Sequence, residues 1–348
     1  MPRRTTCGLA AFLRRTVTLA LFLPTITSCN VVHKPVEVEK ALGPLADANS
    51  AQLIAEVNRM VGVRSIHGKV DIQFEDLSTE SSGVAEKYHT ADGAITLQRP
   101  GKIYLEIQVP VIASAIAQMT SDGEHFRIAI LKGDEKYHRF VRGTNNAVYP
   151  ALDMDGTAEV KKGKKNTEAQ TVKALSNLRP QHLTEALLIS PIDSHASGLF
   201  YARTEFFQSE KDTSQPQSKK RVVRGYYLLD EFQPGENGSA RLLRRFWFDR
   251  VGNIRLARLQ TFNETGALVT DVTYGELKKF GAEGSVVLPS QIGLTRPQDH
   301  YKISITYQAP ESATLDHEYP AEAFVLENKW GLREVDLDAQ KTSPPPKP

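Results

Sequence analysis

The sequence predicts an α+β domain that is mostly β, in which an antiparallel sheet is covered by a few helices. Three observations predict it: apolar and polar residues alternate over many short segments, turn residues separate those segments, and one stretch near the N-terminus has helical spacing. Strands that are apolar on one face have to bury that face. We therefore expect the sheet to curl or to be covered by the helices.

The strand prediction rests on period-two alternation. In the segment over 66–74, Val70, Ile72 and Phe74 alternate with charged or polar residues. Turn pairs such as Asp92-Gly93 and Gly252-Asn253 separate the segments. The predicted strands cover 66–74, 84–97, 103–109, 126–130, 136–142, 199–208, 222–230, 242–249, 254–262, 268–276 and 301–307.

Three helices are predicted. The first lies over 49–61, because apolar residues recur on one face after the capping residue Asn49, and Gly62 marks its end. Two shorter apolar helices follow prolines, over 111–119 and 181–189. These two are the candidates to cover the apolar face of the sheet.

The composition is that of a globular protein. The 348 residues, 40% of them hydrophobic, exclude a multi-span membrane protein and wholesale disorder. No interior linker is apparent, so we expect one domain over 47–335 and a disordered proline-rich tail over 336–348. A net charge of +2 is too balanced for electrostatic binding of nucleic acid.

The N-terminus has the three regions of an export signal. Arginines at positions 3, 4, 14 and 15 precede an apolar run over 17–23 that is too short to span a membrane. The run ends in Ile26-Thr27-Ser28-Cys29, which resembles a bacterial lipoprotein signal. That resemblance implies a signal peptide over 1–28, lipid attachment to Cys29 and a tether over 29–46. The alternatives are an uncleaved anchor or an ordinary signal with a chance cysteine.

Cleavage before Cys29 would change the charge and the cysteine content. It removes four arginines and no acid, so the net charge goes from +2 to −2, and Cys7 is removed as well. The expected location is the cell envelope, with the domain facing the periplasm and the membrane bound through lipidated Cys29. The resemblance favours the outer over the inner membrane, because Asn30 is not the aspartate that retains such lipoproteins at the inner membrane.

The sequence offers no catalytic motif. It has no HExxH pair, no GxSxG elbow and no phosphate-binding glycine loop, and Cys29 would carry lipid. We therefore expect no enzyme activity, no cofactor and no metal site. An envelope hydrolase is the least favoured of the functions considered.

The chain has an Arg99-Pro100 turn between two predicted strands and a Ser121-Asp122-Gly123 hairpin before the next strand. These two motifs resemble those of the periplasmic lipoprotein carrier and outer-membrane lipoprotein receptor family (LolA/LolB-like). The resemblance covers most of 50–330 and implies an incomplete, strongly curved antiparallel barrel with helices over its concave face. This chain departs from the family pattern in two respects. It has extra sequence over 133–180 and 209–240, and it is expected to carry its own lipid anchor.

The resemblance also implies a ligand: acyl chains of a lipid or lipoprotein, held in an apolar cavity. Arg99 matches the family arginine that holds the lid closed, although a plain turn residue before proline is an equal alternative. The segment over 111–119 fits either a lid helix or a membrane-dipping loop. The expected lid and cavity residues are Arg99, Leu105, Ile107, Ile112, Ile116, Leu183 and Leu187.

Two functions stay open at this point. The first is a non-enzymatic envelope lipoprotein that binds acyl chains for transport or sorting. The second is an interaction scaffold or envelope-stress sensor, whose interior is filled by its own side chains and whose sheet binds a protein partner.

Overall fold

The computed structural model describes residues 38–77, 86–87, 90–108, 114–132, 135–145, 147, 149, 178–214 and 220–341. The predicted signal peptide, Cys29 and residues 30–37 of the tether lie outside these ranges. By its contacts the chain divides into two units, Met1–Lys40 and Ala41–Pro348. The description below concerns the second unit.

Helices are few and short. The α-helices are α1 (Ser50–Val61), α2 (Pro180–Leu187) and α3 (Leu337–Lys341). Helix α1 begins as predicted, with a capping box in which Asn49 Oδ1 accepts from Gln52 N at 3.0 Å and Gln52 Oε1 accepts from Asn49 N at 2.9 Å. No helix among the described residues has both the length and the apolar character needed to cross a membrane.

Strands make up most of the described chain. The first ten are β1 (Lys40–Ala41), β2 (Ser65–Asp76), β3 (Glu86–Lys87), β4 (Ala91–Gln98), β5 (Lys102–Gln108), β6 (Ala115–Ser121), β7 (His125–Ile130), β8 (Arg139–Thr144), β9 (Phe200–Lys211) and β10 (Arg221–Pro234). The other nine are β11 (Ala240–Asp249), β12 (Arg255–Phe262), β13 (Leu268–Tyr274), β14 (Leu277–Phe280), β15 (Val286–Pro289), β16 (Gln291–Arg296), β17 (Tyr301–Tyr307), β18 (Thr314–Leu315) and β19 (Glu334–Asp336).

The strands form one large, curved and open sheet. Its order is β9-β10-β11-β12-β13-β16-β17-β2-β4-β5-β6-β7-β8-β19, and every pair is antiparallel except β8 with β19. Strands β3 and β18 extend the sheet at the two ends of β2, and β14–β15 is a separate hairpin. This confirms the predicted fold class, a mostly β domain built on a curved antiparallel sheet that does not close.

The core lies on the concave face of the sheet. The inward side chains of the alternating strands, such as Val70, Ile95 and Phe248, form one apolar cluster. Leu53 and Val57 of α1 and Leu183 of α2 pack into the same cluster and are almost fully buried. The alternation in the sequence therefore indicates the buried face correctly, because a strand's side chains point to opposite faces in turn.

The helix expected over 111–119 is wrong for its described part. Residues 115–119 belong to β6, which pairs with β5 and β7, and only the segment before residue 114 lies outside the description. The alanines of this segment favour a helix when taken alone. The open edges of β5 and β7 satisfy its backbone instead, and Ala117 and Met119 turn inward as on any strand.

The predicted disordered tail over 336–348 is wrong for its described part, residues 336–341. Asp336 ends β19, and the following residues form α3, whose Leu337 is buried in the core. The position of β19 beside β8 could not be expected from the sequence, because three residues are too few to show a period. Residues 342–348 lie outside the description.

Candidate ligand-binding site

The site lies where α2 and the residues after it cross the concave face. We call residues 180–192 the covering segment. Helix α2 contacts β5 and β6 in one half of the sheet and β16 in the other half, so it crosses over the strands between them. Its Leu183 and Ala186 are buried, as are Leu188 and Ile192 after it, because the segment's apolar face meets the apolar face of the sheet.

Side chains from distant elements hold the C-terminal half of the covering segment through its backbone carbonyls. Tyr274 of β13 donates to Ala186 O at 3.1 Å, and Arg244 of β11 donates to Ser190 O at 3.2 Å. Asn58 of α1 donates to Ile192 O at 2.9 Å and accepts from Ile192 N at 2.8 Å. Ala186 O is one of the carbonyls that the end of α2 leaves unpaired, and the carbonyls of Ser190 and Ile192 belong to the non-helical residues after it, so each of them obtains its donor from a distant element.

Arg99 contributes two further hydrogen bonds to the same region. Its Nε donates to Val63 O at 3.0 Å, just after α1, and its Nη1 donates to Ile189 O at 2.9 Å, just after α2. The side chain is partly buried, and burial lowers the pKa of its guanidinium. Arg99 thus joins the β4–β5 turn to the ends of both covering helices.

A small apolar cavity lies beneath these hydrogen bonds. Its volume is about 50 Å³, whereas cavities that bind drug-sized ligands have roughly 300–1,000 Å³. Its lining is mostly apolar: Met60, Val63, Ile66, Leu97, Arg99, Leu187, Leu188, Ile189, Phe280, Leu288, Pro289, Ile292 and Tyr307. A cavity of this volume cannot hold a long acyl chain, so such a chain can enter at this point only if the covering segment moves.

The other end of the covering segment has a different polar environment. His182 Nδ1 lies 2.6 Å from the Tyr301 hydroxyl, and burial together with the charge of Arg296 lowers the pKa of His182 to about 3. The imidazole is therefore neutral at physiological pH. Arg179, at the start of α2, lies over the rings of Phe126 and Tyr149.

The structure places most of the predicted site residues in one region. Leu105 and Ile107 of β5 and Leu183 of α2 are buried in the core cluster, and Arg99 and Leu187 line the small cavity. Ile116 lies at an irregularity in the β5–β6 pairing and packs against the core without lining the cavity. Ile112 lies outside the described residues.

Sequence reasoning missed the donors to the covering segment. Asn58, Tyr274 and Arg244 each bind a carbonyl that is 54 to 134 positions away in the chain. A backbone carbonyl is present at every residue and carries no sequence pattern. The Arg99-Pro100 turn, through the family resemblance, and the apolar helix predicted over 181–189 were the sequence features that pointed to this site.

No family model matches the chain, and no curated protein is similar to it in sequence. Solved structures do match. A LolA superfamily protein from Nitrosomonas europaea is 12% identical, with a TM-score of 0.38 over 80% of this chain and 99% of its own.

Two further structures are similar to a comparable degree. A DUF1329 family protein from Desulfovibrio piger is 9% identical, with a TM-score of 0.39 over 79% of this chain and 95% of its own. A domain described as a putative outer membrane lipoprotein-sorting protein, from Vibrio parahaemolyticus, is 10% identical, with a TM-score of 0.39 over 79% of this chain and 94% of its own. No ligand and no residue role follows for this chain from these similarities.

Proposed function

We propose that this protein is a non-enzymatic lipoprotein that binds an acyl chain between the covering segment and the concave face of the sheet. The observation that carries the proposal is the pair of Arg99 hydrogen bonds. They hold the covering segment closed over an apolar face through a few polar contacts at one end, which is the arrangement a lid requires. The small cavity beneath them is the point at which an acyl chain would begin to enter.

The energies are compatible with reversible opening. Opening exposes a few buried aliphatic side chains of the covering segment, at roughly 1.5–3 kcal/mol each. An acyl chain that takes their place regains about 0.8 kcal/mol for each buried CH₂, so about ten methylenes offset the loss of three or four side chains. Such a balance suits a protein that takes up a chain and releases it again.

A fluorescence titration tests the proposal. The full chain is titrated with parinaric acid, a fluorescent fatty acid, alongside the variants Arg99→Met, Leu187→Asp and Arg64→Met. Because the ligand has to open the covering segment, loss of the Arg99 hydrogen bonds should raise the affinity by about 10- to 100-fold. Leu187→Asp places a charge in the apolar cavity and should abolish binding.

Arg64→Met is the matched control. Arg64 is exposed on the same connection as Val63, and its side chain makes none of the closing hydrogen bonds. Its replacement should leave the affinity unchanged. Absence of saturable binding by the wild-type chain and by Arg99→Met would sink the proposal.

The anchor is the second part of the proposed function. We propose that Cys29 carries lipid and holds the domain at a membrane of the cell envelope, on the grounds of the signal-like residues 1–28. The intact mass of the protein purified from membranes should correspond to cleavage before Cys29 plus the lipid. Cys29→Ser should remain unprocessed, and a wild-type mass without lipid would contradict the anchor.

One observation favours the alternative, an interaction module. Strand β9 ends the described sheet and exposes Phe200, Phe206 and Phe207, with 54% of Phe207 accessible. Exposed aromatic residues at a sheet edge are typical of protein contacts. If this reading is correct, changing Phe206 and Phe207 to Ser abolishes capture of a partner, while the fatty acid does not bind the wild-type chain.

A further inference from the structure

Arg179 is a partly buried cation whose guanidinium has no hydrogen-bond or ion-pair partner among the described residues. Its Nη1 is shielded from solvent and donates to no acceptor among them, and none of their carboxylates forms an ion pair with the guanidinium. Burial lowers its pKa, yet an arginine stays protonated at physiological pH. A buried charge without a partner costs free energy, so a residue of this kind is expected at a functional site.

The surroundings do not neutralise Arg179. The nearby carboxylate of Asp299 is taken by Arg296, whose Nε donates to Asp299 Oδ2 at 2.7 Å. His182 is neutral, and the Tyr149 hydroxyl donates to Asp338. Among the described residues around the start of α2, the positive charge of Arg179 is therefore not matched by a carboxylate of its own.

Aromatic rings orient the guanidinium. Its Cζ lies 5.5 Å from the ring centroid of Phe126 and 5.3 Å from that of Tyr149. Cation–π contacts of this kind hold an arginine in one orientation while leaving its N–H groups to bind an acceptor. The planar fork of N–H donors matches a carboxylate or a phosphate.

Two other buried polar atoms also lack a hydrogen bond among the described residues, and comparison with them distinguishes Arg179. Arg127 Nη1 also lacks a hydrogen bond within the described ranges, but it lies 3.7 Å from an Asp122 carboxylate oxygen, which balances its charge. Asn145 Oδ1 is the other atom, and it is uncharged. Of the three, Arg179 is the one whose charge still requires an anion.

We propose that Arg179 binds the anionic group, a carboxylate or phosphate, of an amphiphile whose acyl chain lies under the covering segment. This inference rests on the proposed function and names the class of ligand. The anionic group is held at the start of α2, and the chain extends beneath the helix toward the Arg99 end. Neutral lipids with the same chain are disfavoured, because they leave the buried guanidinium without a partner.

The test compares parinaric acid with its uncharged methyl ester, both titrated into the full chain at neutral pH. The wild-type chain should bind the acid at least about 10-fold more tightly, the range expected for a hydrogen bond between charged groups. Arg179→Gln should reduce affinity for the acid to that for the ester and leave the ester unaffected. Arg179→Lys keeps the charge without the fork and should give an intermediate affinity.

Arg127→Gln is the matched control, since it removes another arginine with a buried, unbonded Nη1 and should not change the preference for the acid. Equal affinity of the wild-type chain for acid and ester would overturn the inference and leave the proposed function standing. A folding defect of Arg179→Gln, seen as a lower melting temperature, together with equal affinities would indicate that Arg179 has a partner within the chain.

Inorganic phosphate separates the remaining outcomes. If neither acid nor ester binds, the proposed function fails. Stabilisation of the wild-type chain by phosphate at constant ionic strength, absent in Arg179→Gln, would then keep the anion site, with a free anion as its ligand. Without that stabilisation the anion site is overturned too.

Discussion

The two ends of the covering segment each have a partly buried arginine, and the two arginines differ in how they are bonded. At the C-terminal end, Arg99 donates to Val63 O and Ile189 O. At the N-terminal end, Arg179 has rings on its faces and no acceptor among the described residues. Burial lowers the pKa of both guanidinium groups.

The difference separates two roles for a buried cation. A charged donor bonded to two backbone carbonyls stabilises the closed arrangement of helices and sheet. A charged donor without an acceptor does not stabilise the closed arrangement. The free-energy cost of burying its charge is offset when an anion binds to it. The same residue type thus closes the site at one end and, on our inference, recognises the ligand at the other.

The largest expected effect is at the Arg99 end. Arg99→Met removes two hydrogen bonds from a charged donor and leaves two carbonyls without it, so the free energy of unfolding should fall by roughly 3 kcal/mol. Urea denaturation measures it, with Arg64→Met as the control. An unchanged unfolding midpoint would mean that the Arg99 hydrogen bonds contribute nothing to closure.

A pH effect should come from the Arg179 end. The pKa of His182 is lowered from 6.5 to about 3 in the folded chain. The contribution of the neutral imidazole to the free energy of unfolding is therefore complete above about pH 6.5, where the histidine of the unfolded chain is neutral too. That contribution is lost as the pH falls from 6.5 toward 3. At pH 5 the free energy of unfolding should be about 2 kcal/mol lower because of His182, since each pH unit below 6.5 costs about 1.4 kcal/mol.

His182→Asn tests the assignment, because asparagine can accept from the Tyr301 hydroxyl and does not titrate. The variant should show a smaller loss of unfolding free energy between pH 7 and pH 5 than the wild-type chain. His195→Asn, at an exposed position, controls for removal of an imidazole. The same pH dependence in wild type and His182→Asn would contradict a buried neutral His182.

A smaller effect is expected from Tyr274, whose hydroxyl is buried and bonded to Ala186 O. Tyr274→Phe keeps the packing and removes the hydrogen bond, so the free energy of unfolding should fall by about 1 kcal/mol. Urea denaturation of this variant beside Arg99→Met ranks the two contacts. A larger loss from Tyr274→Phe would shift the main closing contact from Arg99 to Tyr274.

The smallest effect should come from Arg179. Arg179→Met replaces a charge that has no partner among the described residues with an apolar side chain of similar length, and the lost ring contacts are offset by the charge that no longer has to be buried. The free energy of unfolding, measured in urea without ligand, should stay within about 0.5 kcal/mol of the wild-type value or exceed it. A loss as large as that of Arg99→Met would erase the contrast between the two ends.

Most of the fold could be predicted from local patterns. The alternation over Lys102–Gln108 and Tyr301–Tyr307 gives strands with their buried faces, and the cap at Asn49 gives the start of α1. Strand β6 could not be predicted, because its alanines favour a helix and only the neighbouring strand edges decide otherwise. The short strands of the β14–β15 hairpin likewise show too few residues for a period.

The candidate site was less predictable than the fold. Arg99 was found through a family resemblance, and Leu187 through the apolar pattern of its helix, and both line the small cavity. Asn58, Tyr274 and Arg244 had no signal, because their acceptors are backbone carbonyls far along the chain. Arg179 looked like an ordinary residue before Pro180.

The sequence by itself determined which residues alternate, where the helices start and which face of each strand is apolar, because these depend on neighbours within a few positions. Only the tertiary structure decided that the sheet stays open, that the covering segment packs against its concave face, and that Arg99 has acceptors among the described residues while Arg179 has none. Those outcomes depend on contacts between residues far apart in the chain, and no local pattern records them.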